Sequence, residues 1–149
     1  MSPVVSAEAV VAAPSERVFG FLADLDRHGA LTDGGIEILD LEGPAGARTG
    51  GTVELRGPAG LVRRARTQVA GADAGRLWGT AVTEHGTEAQ LEWSIAPGRD
   101  GTAVAVRMRV SPNHWSDRLL LRLGGRRWLA RRMQAAVSRL AAAAGGAPA

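Results

Sequence analysis

The stretch that most constrains how this chain can fold is its last forty residues, Val110 to Ala149. A helix-breaking Pro112-Asn113 opens it, an arginine-rich amphipathic pattern follows, and Gly-Gly-Ala-Pro-Ala ends it. Advancing about 100° per residue, Trp115, Leu119, Leu123, Leu129, Ala130, Met133, Val137, Leu140, Ala141 and Ala144 share one broad face. An apolar face that wide must be buried against something large. Arg126 intrudes on the face, and Gly124-Gly125 predicts a kink or break beside it. Residues 145–149 are expected to form a flexible tail.

The rest of the chain supplies strands to receive that helix. Val4 to Ala12 is β-prone, with Ser6 and Glu8 on one alternating face. Ala13-Pro14-Ser15-Glu16 then starts a short helix, in which Val18, Phe21, Leu22 and Leu25 follow at i, i+3, i+4 and i+7. Asp24–Gly35 is a polar, Gly-punctuated connection with room for one helical turn. From Ile36 onward six short strand patterns are separated by turn chemistry. The clearest alternation sets Ala89, Leu91, Trp93 and Ile95 against Glu88, Gln90, Glu92 and Ser94. Val104, Val106, Met108 and Val110 repeat it one strand later. Each strand is wet on one face and apolar on the other, as in an antiparallel sheet covered on one side. The two Gly-Pro-Ala-Gly segments, at 43–46 and 57–60, are turn chemistry used twice. The order β-α-(α)-β6-α predicts an α+β fold, a curved sheet of about seven strands around a long C-terminal helix. At 149 residues, 1–149 is expected to be a single domain.

Absent residue types narrow the chemistry. The chain has no Cys, no Lys and no Tyr. That excludes thiolate nucleophiles, cysteine metal sites, Schiff-base lysines and a phenolic acid. The three histidines lack metal-ligand spacing, so no metal is expected, and no motif calls for a cofactor. The N-terminus lacks a secretory signal's basic region and no apolar run reaches the length of a bilayer span, so a cytoplasmic protein is expected. Charge is uneven: residues 1–100 carry −5 and residues 101–149 carry +8. Every basic side chain is Arg, whose high pKa inflates the isoelectric point, so nucleic-acid binding is not inferred. The outer helix side, with Arg127, Arg131, Arg132 and Arg139 beside Leu120, Leu121 and Trp128, is a candidate surface for a membrane or a protein, unless the kink tucks the leucines under the preceding loop and leaves a solvated helix. Oligomeric state has no signature in the sequence.

The chain resembles the START/Bet v 1-like (SRPBCC) superfamily, in its polyketide cyclase/dehydrase-like branch. The resemblance rests on VVAAPSERVFGFLADLDRHGAL at 10–31, the hairpin LEWSIAPGRDGTAVAVRMRV at 91–110 and the Arg-rich terminal helix. It implies the helix-grip fold, with an apolar cavity between sheet and terminal helix holding a polyketide, lipid or quinone-like molecule. Two departures stand out. Where many members carry Trp-Pro after the first helix, this chain has His28-Gly29. Where aromatase/cyclase members place a hydroxyl and an arginine on the long middle strand, it has Thr67 and Val69, with Arg63 four residues before Thr67.

His28 is therefore the candidate acid or base, with Asp24 or Asp26 to orient it. Arg63 and Thr67 are candidates to bind a carbonyl or an enolate if their strand turns that face inward; the other register would send Arg64 and Arg66 inward instead. His85 and His114 are expected at a hairpin tip and before the last helix. The expected ligand-binding set is Leu91, Trp93, Val106, Met108, Trp115, Leu119, Met133 and Val137. Three readings stay open: a carrier or sensor for a hydrophobic small molecule, a cyclase/aromatase-type enzyme, and an interaction module using the terminal helix.

Overall fold

The computed structural model describes residues 3–32, 35–57, 60–73 and 75–145. The expected tail lies outside these residues from position 146 onward, as do residues 33–34, 58–59 and 74. Seven strands form one antiparallel sheet in the order β1-β7-β6-β5-β4-β3-β2. They are β1 (Val4–Val11), β2 (Ile36–Glu42), β3 (Gly50–Arg56), β4 (Val62–Asp73), β5 (Arg76–Thr83), β6 (Glu88–Gly98) and β7 (Gly101–Ser111). Successive hairpins build β2 to β7, and β1 closes the row beside β7 with Ala7 opposite Val106. Helix α1 (Ser15–Ala23) and a 3-10 turn (Leu25–Leu31) carry the chain from β1 to β2. The helix-grip architecture read from the sequence is the one observed.

The terminal stretch is not one helix. It divides into α2 (Trp115–Leu120), a π-helical turn (Leu121–Gly125) and α3 (Arg126–Gly145). The two glycines at the bend serve different needs. Gly124 holds φ +113°, a conformation that disfavours any side chain, while a Cβ on Gly125 would come within 2.6 Å of the Leu120 carbonyl oxygen. Gly124→Ala should therefore cost about 1–2 kcal/mol, read as a lowered urea midpoint. An unchanged midpoint would mean that the bend relaxes without strain.

Alternation along the strands decides what α3 meets. On the inner face lie Val5, Ala7 and Val11 of β1, Val104, Val106 and Val110 of β7, and Trp93 of β6, all buried. Val18, Phe21 and Leu22 of α1 join them, as do Met133, Val137, Leu140 and Ala144 of α3. Val137 and Leu140 are fully enclosed, each contributing on the order of 2 kcal/mol through apolar burial. Thr102, also fully buried, is satisfied by donating to the Ala13 carbonyl at 2.7 Å. Around Val11, Val18, Val137 and Leu140 the interior is solid.

Elsewhere it is not. Toward β3, β4 and β5 the inner face carries small side chains: Ala65, Thr67, Gly79, Ala81 and, on β6, Ala89. Facing them, α3 offers Leu129, Met133 and the small Ala136. Residues this small cannot fill the space under a curved sheet, so the core is hollow there.

Candidate functional site

The hollow is a cavity of about 340 Å³. Its wall is mainly aliphatic, drawn from Ile36 and Ile38 of β2, Val53 and Leu55 of β3, Ala65 and Val69 of β4, Leu77 and Ala81 of β5, and Leu91 and Trp93 of β6. Val106, Met108 and Val110 of β7, with Leu129 and Met133 of α3, complete it. Polar residues interrupt the lining, among them His28, Asp40, Thr67, Gln68, Thr87 and Arg132. Such a wall excludes water from an apolar guest and leaves a small number of points that can orient it.

Five of the eight expected ligand-binding residues, Leu91, Trp93, Val106, Met108 and Met133, stand on this wall. Val137 is in the solid core beyond it. Trp115 and Leu119 point the other way and are 68% and 46% exposed, with Leu123 at 72%. The bend explains the difference. Helical phase does not carry through Gly124, so residues before it leave the face that α3 buries. Leu120, Leu121 and Trp128, whose place as core, pocket rim or outer surface turned on this bend, are half-buried. Arg126, expected on the buried face, is exposed and donates to the Val4 carbonyl at 3.3 Å.

His28 lines the cavity from the 3-10 turn rather than standing in solvent. Its Nε2 lies 2.6 Å from the Leu22 carbonyl oxygen, which can only accept, so Nε2 carries the proton and the neutral ring keeps its lone pair on Nδ1. Desolvation holds its pKa below the usual imidazole value, against the raising effects of the Leu22 carbonyl and of Asp24. Asp24 itself accepts from the Asp26 amide and pairs with Arg27, while Asp26 pairs with Arg48.

The depressed pKa has a consequence for stability. As pH falls, the unfolded chain takes up this proton before the folded protein does. The contribution of His28 is therefore complete above the ordinary imidazole pKa and is lost as pH drops below it toward the folded value. In urea titrations at about pH 7.5 and about pH 5, the stability gap between wild type and His28→Gln should shrink at the lower pH. A gap that widens would contradict this environment for the ring.

Thr67 also reaches the cavity, its hydroxyl donating to the Gly51 carbonyl at 3.2 Å. Arg63 does share its inner face, along with Ala65, while Arg64 and Arg66 point outward to Glu54 and Glu42. It does not join His28 and Thr67 on the cavity wall, however. Its Nε donates to Asp117 Oδ1 at 3.1 Å and its Nη2 to Ser116 Oγ at 3.2 Å, which commits the guanidinium to α2. Asp117 is only 7% exposed and accepts from the Thr87 hydroxyl at 2.5 Å through its other oxygen. The Thr87 hydroxyl in turn accepts from the Asn113 amide at 3.1 Å. This cluster fastens α2 to β4 and to the β5–β6 turn. His114 caps α2, its Nδ1 accepting from the Ser116 amide, and its ring lies 5.1 Å from that of His85, which is exposed.

Two of these residues have weak signals in the sequence. Asp117 is the sole acidic residue after position 100, set in the first turn of a helix amid nine arginines. Such isolation marks a paired carboxylate. Arg132, expected on the outer side of the helix, instead reaches the cavity wall with its guanidinium 5.9 Å from the Trp128 ring centre. Both side chains pack on Gly35. Trp128 is thereby half-covered, while Arg127 and Arg131 remain exposed.

A seven-stranded sheet gripping a terminal helix, with an apolar cavity between them, defines a helix-grip protein built around a ligand-sized space. The model of the family described as polyketide cyclase/dehydrase and lipid transport matches residues 2–145. The chain belongs to that family. No curated protein sequence is similar enough to match. Among solved structures, a protein from Thermus thermophilus is similar at TM-score 0.69 and 19% identity, over 93% of this chain and 94% of that one. The di-domain ARO/CYC BexL from the BE-7585A biosynthetic pathway is similar at TM-score 0.71 and 17% identity, over 99% of this chain and 51% of BexL. The di-domain ARO/CYC StfQ from the steffimycin biosynthetic pathway gives TM-score 0.69 and 15% identity, over 97% of this chain and 51% of StfQ. These likenesses define the fold.

Proposed function

We propose that this protein binds a hydrophobic small molecule of the polyketide, lipid or quinone class between its sheet and α3, as a carrier or sensor. One observation carries the reading: an apolar cavity of about 340 Å³ kept open by small residues on β4, β5 and β6. A cavity of that size suits a compact, ring-containing guest. Burial of the guest's apolar surface would supply most of the binding free energy, at about 25 cal/mol per Å² before the costs of association. At its edge His28 offers an imidazole lone pair, Thr67 an acceptor oxygen whose own proton goes to Gly51, and Arg132 a guanidinium on the wall.

The test is titration with a panel of fluorescent polycyclic phenols, quinones and fatty-acid probes, read by probe emission and by quenching of Trp93. Saturable one-to-one binding by one class supports the proposal. No saturable binding by any class would sink it.

A second reading, a cyclase/aromatase-type enzyme, is favoured by one observation. His28 and Thr67 stand on the wall of the same cavity. A neutral imidazole with an available lone pair can take a proton from a carbon acidified by a neighbouring carbonyl, and the cavity can hold a chain in a conformer ready to close. Arg63 has no part in that mechanism, since Asp117 and Ser116 occupy its donors.

A further inference from the structure

We propose that α2 and the bend after it dock this protein on an anionic lipid bilayer. Trp115, Leu119 and Leu123 recur every fourth residue and are the most exposed large apolar side chains of the terminal stretch. Arg118, Arg122 and Arg126 follow the same spacing three residues behind, all exposed. A soluble protein gains nothing by holding a tryptophan and two leucines in water on one short projection, and a clustered set of this kind marks a surface that meets something.

Charge selects the partner. Asp117 is the one acidic residue in this arginine-rich half, and it is buried against Arg63 and Thr87. The projection therefore shows solvent only positive and apolar groups. The same ion pair draws the start of β4 to α2, so the exposed Leu61 and Val62 stand at this end of the molecule too. The apolar side chains protrude, and a bilayer accepts protruding groups without a matching pocket. Tryptophan favours the headgroup boundary, while guanidinium groups reach lipid phosphates from just above it. Trp128, Arg127 and Arg131, the candidate contact read from the sequence, stand on α3 beyond the bend, with Trp128 half-covered against Gly35.

The experiment is flotation with vesicles of phosphatidylcholine alone and with about a third phosphatidylserine, at low and at high salt. The full chain should float with the anionic vesicles at low salt, remain behind with phosphatidylcholine, and be released by salt. Leu119→Glu with Leu123→Glu should cut the bound fraction about tenfold, and Arg118→Gln with Arg122→Gln should abolish the preference for phosphatidylserine. Arg139→Gln, on exposed α3 surface, should float as wild type does. All are surface changes, and matching thermal melts will show that each variant is folded. Absence of flotation with anionic vesicles at low salt overturns the proposal, as does wild-type flotation by the double-Glu variant. Sedimentation of the same samples covers the other occupants. A dimer, or a complex with an acidic protein, that is abolished by the double-Glu variant while vesicles are ignored assigns the face to that partner and removes the lipid assignment.

Discussion

Ala89→Phe should abolish ligand binding while leaving the protein as stable as before, or more so. Ala89 lies opposite Ala81 across β5 and β6, and both line the cavity beside Leu91. A phenyl ring there enters space that no protein atom occupies, so it avoids the strain of overpacking a filled core. Filling a cavity commonly adds about 0.5–2 kcal/mol of stability. The same ring takes the room that a guest needs. Affinity for the probe class that binds wild type should fall about a hundredfold or more, equivalent to at least ~2.8 kcal/mol. The two readouts matter together. Loss of binding with a normal or raised urea midpoint locates the guest between sheet and α3. Binding that survives the substitution places it elsewhere.

Asp117→Ala should be the most damaging single change outside the apolar core. Arg63 would lose its carboxylate while remaining mostly buried, Thr87 would lose its acceptor, and α2 would lose its tie to β4. Removing one partner of a buried ion pair typically costs about 3–5 kcal/mol because the remaining charge is left uncompensated. Arg63 keeps some contact with solvent, so ~3 kcal/mol is expected here, measured by urea unfolding. Arg63→Met combined with Asp117→Leu should recover much of that loss by replacing the pair with apolar volume. If Asp117→Ala unfolds at the wild-type midpoint, the cluster is not what holds α2. Because Thr87 lines the cavity, the single variant should also release ligand faster.

How far these features were legible in the sequence depends on the range of the interaction behind each. Strand faces were legible because alternation is local. The inner sets Leu91–Trp93 and Val106–Met108 follow from the pleat alone, and the inward turn of Arg63 follows from the difficulty of burying Arg64 and Arg66 together. The hollow end was written in Ala65, Gly79, Ala81 and Ala89, although small residues reveal a cavity only once the sheet's curvature is known. What alternation and periodicity could not supply was the phase of the last helix. Gly124 announces a bend, but its φ of +113° sets the direction, and that direction turns Trp115 and Leu119 outward. The capture of Arg63 by Asp117 joins residues 54 apart in sequence, beyond the reach of any local pattern. His28 has a similar history. Its sequence neighbours are polar, and only the Leu22 carbonyl and the packing of the 3-10 turn draw it to the cavity.

The central claim, that the space between sheet and α3 holds a hydrophobic small molecule, is tested most directly by native mass spectrometry of the protein purified from its own source. The account predicts a second species, heavier by the mass of one retained apolar molecule, that disappears in Ala89→Phe prepared the same way. A wild-type spectrum containing the bare chain alone, from protein that also leaves the whole probe panel unbound, would contradict it.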